Sequence, residues 1–151
     1  MRITLSSLAT AIALAFALVF HPAPAVAQVS LDYEYYKARV EPIFLTKRDG
    51  HARCFVCHSD ANNAFRLQKL PEKAKAWTEE ESRKNFTQVS ALVTPVNPDK
   101  SHLLLYPLAP EAGGSIYHSG GRQFRSKDDP EWQAMAAWVK GARLTPAADR
   151  K

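Results

Sequence analysis

The sequence predicts a single all-α domain that follows an export signal. Apolar residues recur at helical spacing in separate stretches, capping residues stand at the start of several of them, and no run alternates as a strand does. A chain of 151 residues suits one domain with one modest core. The formal net charge of +5 favours anionic partners but is too small to indicate nucleic-acid binding.

The first 27 residues are expected to form a signal peptide. Arg2 supplies the positive start, residues 3–20 are almost entirely apolar, and Ala25 and Ala27 are the small residues that precede a signal-peptidase site. A retained membrane anchor is the alternative, although an apolar run of this length is at the short limit for a bilayer span. We therefore expect cleavage after Ala27, a mature domain of residues 28–151 and a periplasmic or otherwise exported protein.

A first helix is predicted over residues 30–45. Its apolar face recurs at every fourth position and consists of Tyr36, Val40 and Phe44. Ser30 or Asp32 can cap its start. Pro42 lies inside the helix, so a kink or a new turn is expected there.

A second helix is predicted to begin at Thr78, which forms a capping box with Glu81. The segment before it, residues 59–77, is polar and is expected to be a loop that carries a basic cluster of Lys69, Lys73 and Lys75. The buried stripe expected for this helix consists of Phe86, Val89 and Val93. Pro95 ends it.

Two more helices are predicted towards the C-terminus. Ser101 can cap a short helix that runs to Tyr106. The last helix opens at Asp129 and Pro130, a cap followed by proline at the first helical position, and ends at Gly141. Its expected buried face consists of Trp132, Met135, Ala136 and Val139.

The chemistry of the chain is concentrated in Cys54-Phe55-Val56-Cys57-His58, a C-x-x-C-H motif that is typical of haem c attachment. This spacing lets Cys54 and Cys57 reach the two vinyl groups along one porphyrin edge as thioethers. His58 then falls beneath the iron as the proximal ligand. The motif therefore predicts one covalently bound haem c.

Two other interpretations of the cysteine pair are weaker. A thioredoxin-like redox pair would lie in a βαβ pattern, which the sequence does not show around Cys54. A zinc site would require further ligands, but there is no second cysteine pair and the remaining histidines do not have ligand spacing.

The sixth iron ligand decides the function, and His118 is the expected residue. It lies in the loop Tyr117-His118-Ser119-Gly120-Gly121, where glycines allow the backbone to approach a flat ligand closely. His102 is the alternative ligand. His51 is tethered too near the proximal edge, and Met135 is expected to pack in the core.

The chain resembles the class I c-type cytochromes, in particular small bacterial mono-haem modules. The resemblance covers residues 31–142. The matching residues are Val40 to Phe44, Cys54 to His58, Asn85-Phe86, Val93 to Pro95, Pro98 to Ser101, Leu103-Leu104, Pro107-Leu108, His118 to Gly121, Phe124 and Trp138 to Ala142.

This resemblance implies an all-α, cytochrome c-like domain wrapped around one covalently attached haem, and one-electron transfer. The family pattern has a distal methionine in a proline-rich loop, whereas this chain has His118 there, which favours bis-histidine ligation. The expected function is an exported electron carrier or a subunit of a larger electron-transfer complex. Its partners would be redox proteins, some with an acidic docking surface, and neither nucleic acid nor a small-molecule substrate.

Two functional alternatives remain open at the level of sequence. A haem-based sensor or small-ligand binder would have a labile or open sixth position. A haem enzyme such as a peroxidase is disfavoured, because no distal acid–base pair is visible in the sequence, and we expect no enzymatic activity.

Overall fold

The structure, a computed structural model, describes residues 30–144. The predicted signal peptide lies outside this range. The helices are α1 (Tyr33–Tyr35), α2 (Glu41–Leu45), α3 (Cys54–His58), α4 (Glu79–Ser90), α5 (His102–Leu105) and α6 (Pro130–Val139), with a π-helical turn at Tyr36–Val40 and 3-10 turns at Pro98–Lys100 and Pro110–Ala112. Between residues 30 and 144 the β pairing consists of one isolated bridge. The domain is therefore all-α, as predicted.

The first predicted helix forms as α1, the π-helical turn and α2 in direct succession. Asp32 caps it, since its Oδ1 accepts the N–H of Tyr35 at 2.6 Å. Pro42 has no N–H, so it cannot donate to the carbonyl four residues earlier. The preceding residue, Glu41, donates its N–H to the carbonyl of Tyr36, five residues earlier, which is the hydrogen-bond pattern of a π-helix. The helix accommodates the proline by a wider, π-helical turn, after which α2 begins at Glu41.

Helix α4 begins as predicted, but its buried face differs from the expected one. Both hydrogen bonds of the Thr78–Glu81 capping box are present. The helix ends at Ser90, so Val93 lies beyond it and is only half-buried. The residues that α4 buries are Ser82, Asn85 and Val89. Of the predicted stripe, only Val89 is fully buried, whereas Phe86 and Val93 are half-buried and pack against the core.

Two of the polar residues on α4 are buried because each has a partner in another segment. The Asn85 Oδ1 accepts the backbone N–H of Gln68 at 2.7 Å. The Ser82 hydroxyl donates to Glu41 Oε1 at 2.9 Å, and Lys37 donates to the same carboxylate oxygen at 3.0 Å. These bonds offset part of the cost of burying polar groups, since Asn85 Nδ2 and Glu41 Oε2 are buried without a hydrogen-bond partner among the described residues.

Helix α6 closes the domain against the first helical segment. The Trp138 ring lies 5.4 Å from that of Tyr36, and its indole N–H donates to the Asp32 carbonyl at 2.8 Å. The Trp132 N–H donates to the Leu104 carbonyl at 3.1 Å, which attaches α5. The predicted face of α6 is confirmed, since its four members are buried with Trp138.

None of the helices within residues 30–144 is both long enough and apolar enough to cross a membrane.

Candidate haem site

A cavity of about 570 Å³ lies between α2, α3, α5, α6 and the loop that carries His118. Its volume falls within the range of roughly 300–1,000 Å³ that is usual for cofactor pockets. The inner wall is apolar and buried, and it includes Ile43, Phe44, Leu103, Phe124 and Met135. The cavity suits a large apolar ligand.

Helix α3 presents the motif to this cavity. Cys54, Cys57 and His58 lie at positions i, i+3 and i+4 of one helix, and these positions share a face. All three residues line the cavity, and both cysteines are free thiols. Cys57 is exposed and Cys54 is half-buried, so the cysteine edge of the cavity is also its edge towards solvent.

The environment of Cys54 differs from that of a reactive thiolate. Burial raises the pKa of its thiol, and the nearby Arg48 guanidinium only opposes this effect. Catalytic cysteines of C-x-x-C redox pairs have a pKa that is lowered by their surroundings. The raised pKa of Cys54 and the lack of a βαβ unit between residues 30 and 144 both argue against a thioredoxin-like pair.

The ring of His58 is oriented by a backbone carbonyl. Its Nδ1 lies 2.8 Å from the Phe65 carbonyl oxygen, and the two rings are 4.2 Å apart. Burial lowers the pKa of His58, which favours the uncharged form even though the Phe65 carbonyl opposes the shift. A histidine must be neutral to bind a metal, and donation of one ring N–H to a carbonyl is the usual way to orient a ligating histidine.

His118 lies in a closed loop on the other side of the cavity. The Leu108–Phe124 bridge joins the ends of this loop, with the Phe124 N–H donating to the Pro107 carbonyl at 3.0 Å. Within the loop, His118 Nδ1 lies 2.7 Å from the Gly121 carbonyl oxygen. His118 and His58 are therefore oriented in the same way, by a hydrogen bond between Nδ1 and a backbone carbonyl. This arrangement leaves Nε2 of each ring available to a metal.

The two imidazoles line the same cavity with nearly parallel planes, at a separation that fits a metal bound between their ring nitrogens. Their ring centres are 6.2 Å apart and their planes differ by 9°. Two metal–nitrogen bonds of about 2 Å each, with about 1 Å from each nitrogen to its ring centre, span about 6 Å. The residues present therefore fit haem c: Cys54 and Cys57 would hold its edge, and His58 and His118 its iron.

The other candidate ligands lie elsewhere or have other contacts. His102 lines the cavity but is exposed, and its ring contacts Tyr106 at 5.1 Å. His51 does not line the cavity, and its ring lies near Gly121 of the His118 loop. Met135 is buried in the core as predicted, and it also forms part of the cavity wall.

The sequence did not identify the groups that orient the two histidines. The carbonyls of Phe65 and Gly121 carry no signal in the side-chain pattern, although the paired glycines after His118 indicate an unusual backbone. Arg48 was missed as well. Its guanidinium lies 4.7 Å from the Phe124 ring centre and pairs with Glu131 of α6, so it ties the segment before the motif to the last helix.

Within residues 30–144, no group of three or more His, Cys, Asp or Glu side chains is arranged to hold a metal ion. Comparison of the chain with models of known protein families, with curated proteins and with solved structures finds no match.

Proposed function

We propose that the protein is an exported mono-haem c-type cytochrome that carries single electrons between redox partners. The observation that carries this proposal is the pair of parallel imidazoles, His58 and His118, whose ring centres lie 6.2 Å apart across a cavity lined by Cys54 and Cys57. A bound haem supplies one iron centre that gains and loses a single electron.

The residues around the cavity suit electron transfer. Ligation by His58 and His118 would fill both axial positions and leave no vacant position for a substrate, which argues against an enzyme. The apolar wall limits solvent access and so helps to set the potential of the site. At the mouth of the cavity, Cys57 is exposed and Tyr117 is 81% exposed, which would let a partner approach the attached edge.

The partner that we propose is a redox protein with an acidic surface, alone or within a larger complex. The basic cluster of Lys69, Lys73 and Lys75 is fully on the surface, and the formal charge of the chain is positive. Lys69 pairs with Asp60 in an exposed ion pair at 2.7 Å, which contributes little to stability. Such a surface would steer an anionic partner in a transient encounter.

Binding of carbon monoxide to the ferrous protein tests the proposal against a haem sensor. The wild-type protein should be low-spin and should not change its spectrum on addition of carbon monoxide, because both axial positions are filled. His118→Ala should open a position and bind the gas, whereas His102→Ala should behave as the wild type does. If the wild-type protein binds carbon monoxide readily, the sixth position is open or labile and the sensor alternative replaces this proposal.

A further inference from the structure

Gly120 lies unusually close to the imidazole ring of His118. A Cβ atom at Gly120 would lie 3.2 Å from His118 Cε1 and 3.3 Å from Nε2, closer than most real Cβ contacts. The backbone at Gly120 is not left-handed, so an alanine there adds crowding against the ring without backbone strain. Gly120 therefore forms one wall against the imidazole.

Gly121 provides the second constraint on the same ring. Its φ of +83° is in the left-handed region that favours glycine. In this conformation its carbonyl accepts the Nδ1–H of His118, and its own N–H donates to the His118 carbonyl at 3.1 Å. One glycine thus restricts the ring by contact and the next by a hydrogen bond.

The turn is also held from outside by two other residues. The Gln123 side-chain amide donates to the Gly120 carbonyl at 3.2 Å. The His51 ring lies 3.5 Å from where a Cβ of Gly121 would stand, and His51 belongs to the segment just before the cysteine motif. The distal turn therefore lies close to the segment that leads into the cysteine motif.

We propose that Gly120 and Gly121 are positioning residues that hold the imidazole plane of His118 parallel to that of His58. This inference rests on the proposed function, since it concerns the two iron ligands. It also goes beyond that function, because bis-histidine ligation allows any angle between the planes, whereas the turn fixes the observed 9°. Other glycines do not share this role: Gly50 has a φ of +75° but nothing within 4 Å of its Cβ position.

Electron paramagnetic resonance of the ferric, haem-loaded protein measures the angle directly. Parallel imidazole planes split the iron d orbitals unequally and give a rhombic low-spin signal. Perpendicular planes leave two of these orbitals nearly degenerate and give a single strongly anisotropic signal. The wild-type protein should give the rhombic signal. A strongly anisotropic wild-type signal would overturn the proposal without the need for any variant.

The Gly120→Ala variant tests the cause of the orientation. Its added methyl group should rotate the His118 ring and shift the signal towards the strongly anisotropic type, while both ligands remain histidine. Gly141→Ala is the matched control: it adds backbone strain at a left-handed position after the end of α6, outside the cavity lining and the His118 loop, so its signal should equal that of the wild type.

The result can be separated from a failure of the proposed function. If Gly120→Ala is low-spin and bis-histidine but keeps the wild-type signal, Gly120 does not position the ring. The inference about the turn is then wrong, while the proposed function is unaffected. Gln123→Ala provides a second variant that adds no atoms. Gln123→Ala should shift the paramagnetic resonance signal in the same direction as Gly120→Ala, by a smaller amount. An unchanged signal in both variants would contradict the proposal that the turn orients His118.

Discussion

At the scale of single residues, the site depends on side chains that are fixed by contacts from distant parts of the chain. His58 and His118 are each oriented by a backbone carbonyl, and Arg48 connects the segment before the motif to α6. The cysteine spacing and both histidines could be predicted from the sequence. Their orienting groups could not, because a carbonyl oxygen belongs to every residue and only the fold selects which one is near.

Replacement of Arg48 should destabilise the protein measurably. Its side chain is 13% exposed, pairs with Glu131 and stacks on the Phe124 ring, so Arg48→Ala removes contacts that are largely shielded from water. We expect the free energy of unfolding to fall by about 1–3 kcal/mol. Denaturant unfolding of the haem-loaded protein measures this change.

The matched control for Arg48→Ala is Lys84→Ala, which removes an exposed ion pair with Glu80 on α4. Water screens such a pair, so the control should unfold at the wild-type denaturant concentration. Equal midpoints for the two variants would show that the Arg48 contacts do not stabilise the fold.

At the scale of elements, the helix starts were predictable and the buried faces were not always so. Thr78 with Glu81 and Asp129 with Pro130 act locally, and the structure confirms both starts. Gly141 likewise ends α6 in a left-handed conformation, with a φ of +92°. Asn85 is different: it is buried because Gln68, 17 residues away, donates to it, and apolar periodicity contains no trace of that pairing.

Loss of the α4 capping box should lower stability by a modest amount. The Thr78 hydroxyl accepts the Glu81 N–H, and the Glu81 carboxylate accepts the Thr78 N–H at 2.9 Å. Thr78→Ala should lower the free energy of unfolding by about 1 kcal/mol, since it leaves the Glu81 N–H without its side-chain acceptor. Thermal unfolding followed by circular dichroism measures the effect.

Thr87→Ala, in the exposed middle of the same helix, serves as the control. Its hydroxyl donates only to the Arg83 carbonyl within its own helix, and alanine is the better helix former. This variant should be as stable as the wild type or slightly more so. A Thr78→Ala variant with the stability of Thr87→Ala would contradict the importance of the cap.

At the scale of the whole molecule, folding brings together two histidines that are 60 positions apart in the chain. The all-α class follows from the pattern of the sequence, because most of the contacts that define it are local. The approach of His58 and His118 instead involves contacts between distant segments, such as the Leu108–Phe124 bridge that closes the loop of His118, and the packing of α6 against the π-helical turn is another contact of this kind. Neither contact can be recognised from neighbouring residues in the sequence. His118 could therefore be predicted as a candidate ligand, but its position opposite His58 could not.

The most direct test of the central claim is the intact mass of the protein purified from cells that mature c-type cytochromes, with Cys54→Ala/Cys57→Ala as the control. We predict a chain that begins at Gln28 and carries the mass of one covalently bound haem, and a double variant that carries none. A wild-type chain without added haem, or a double variant that still retains covalent haem, would contradict the account.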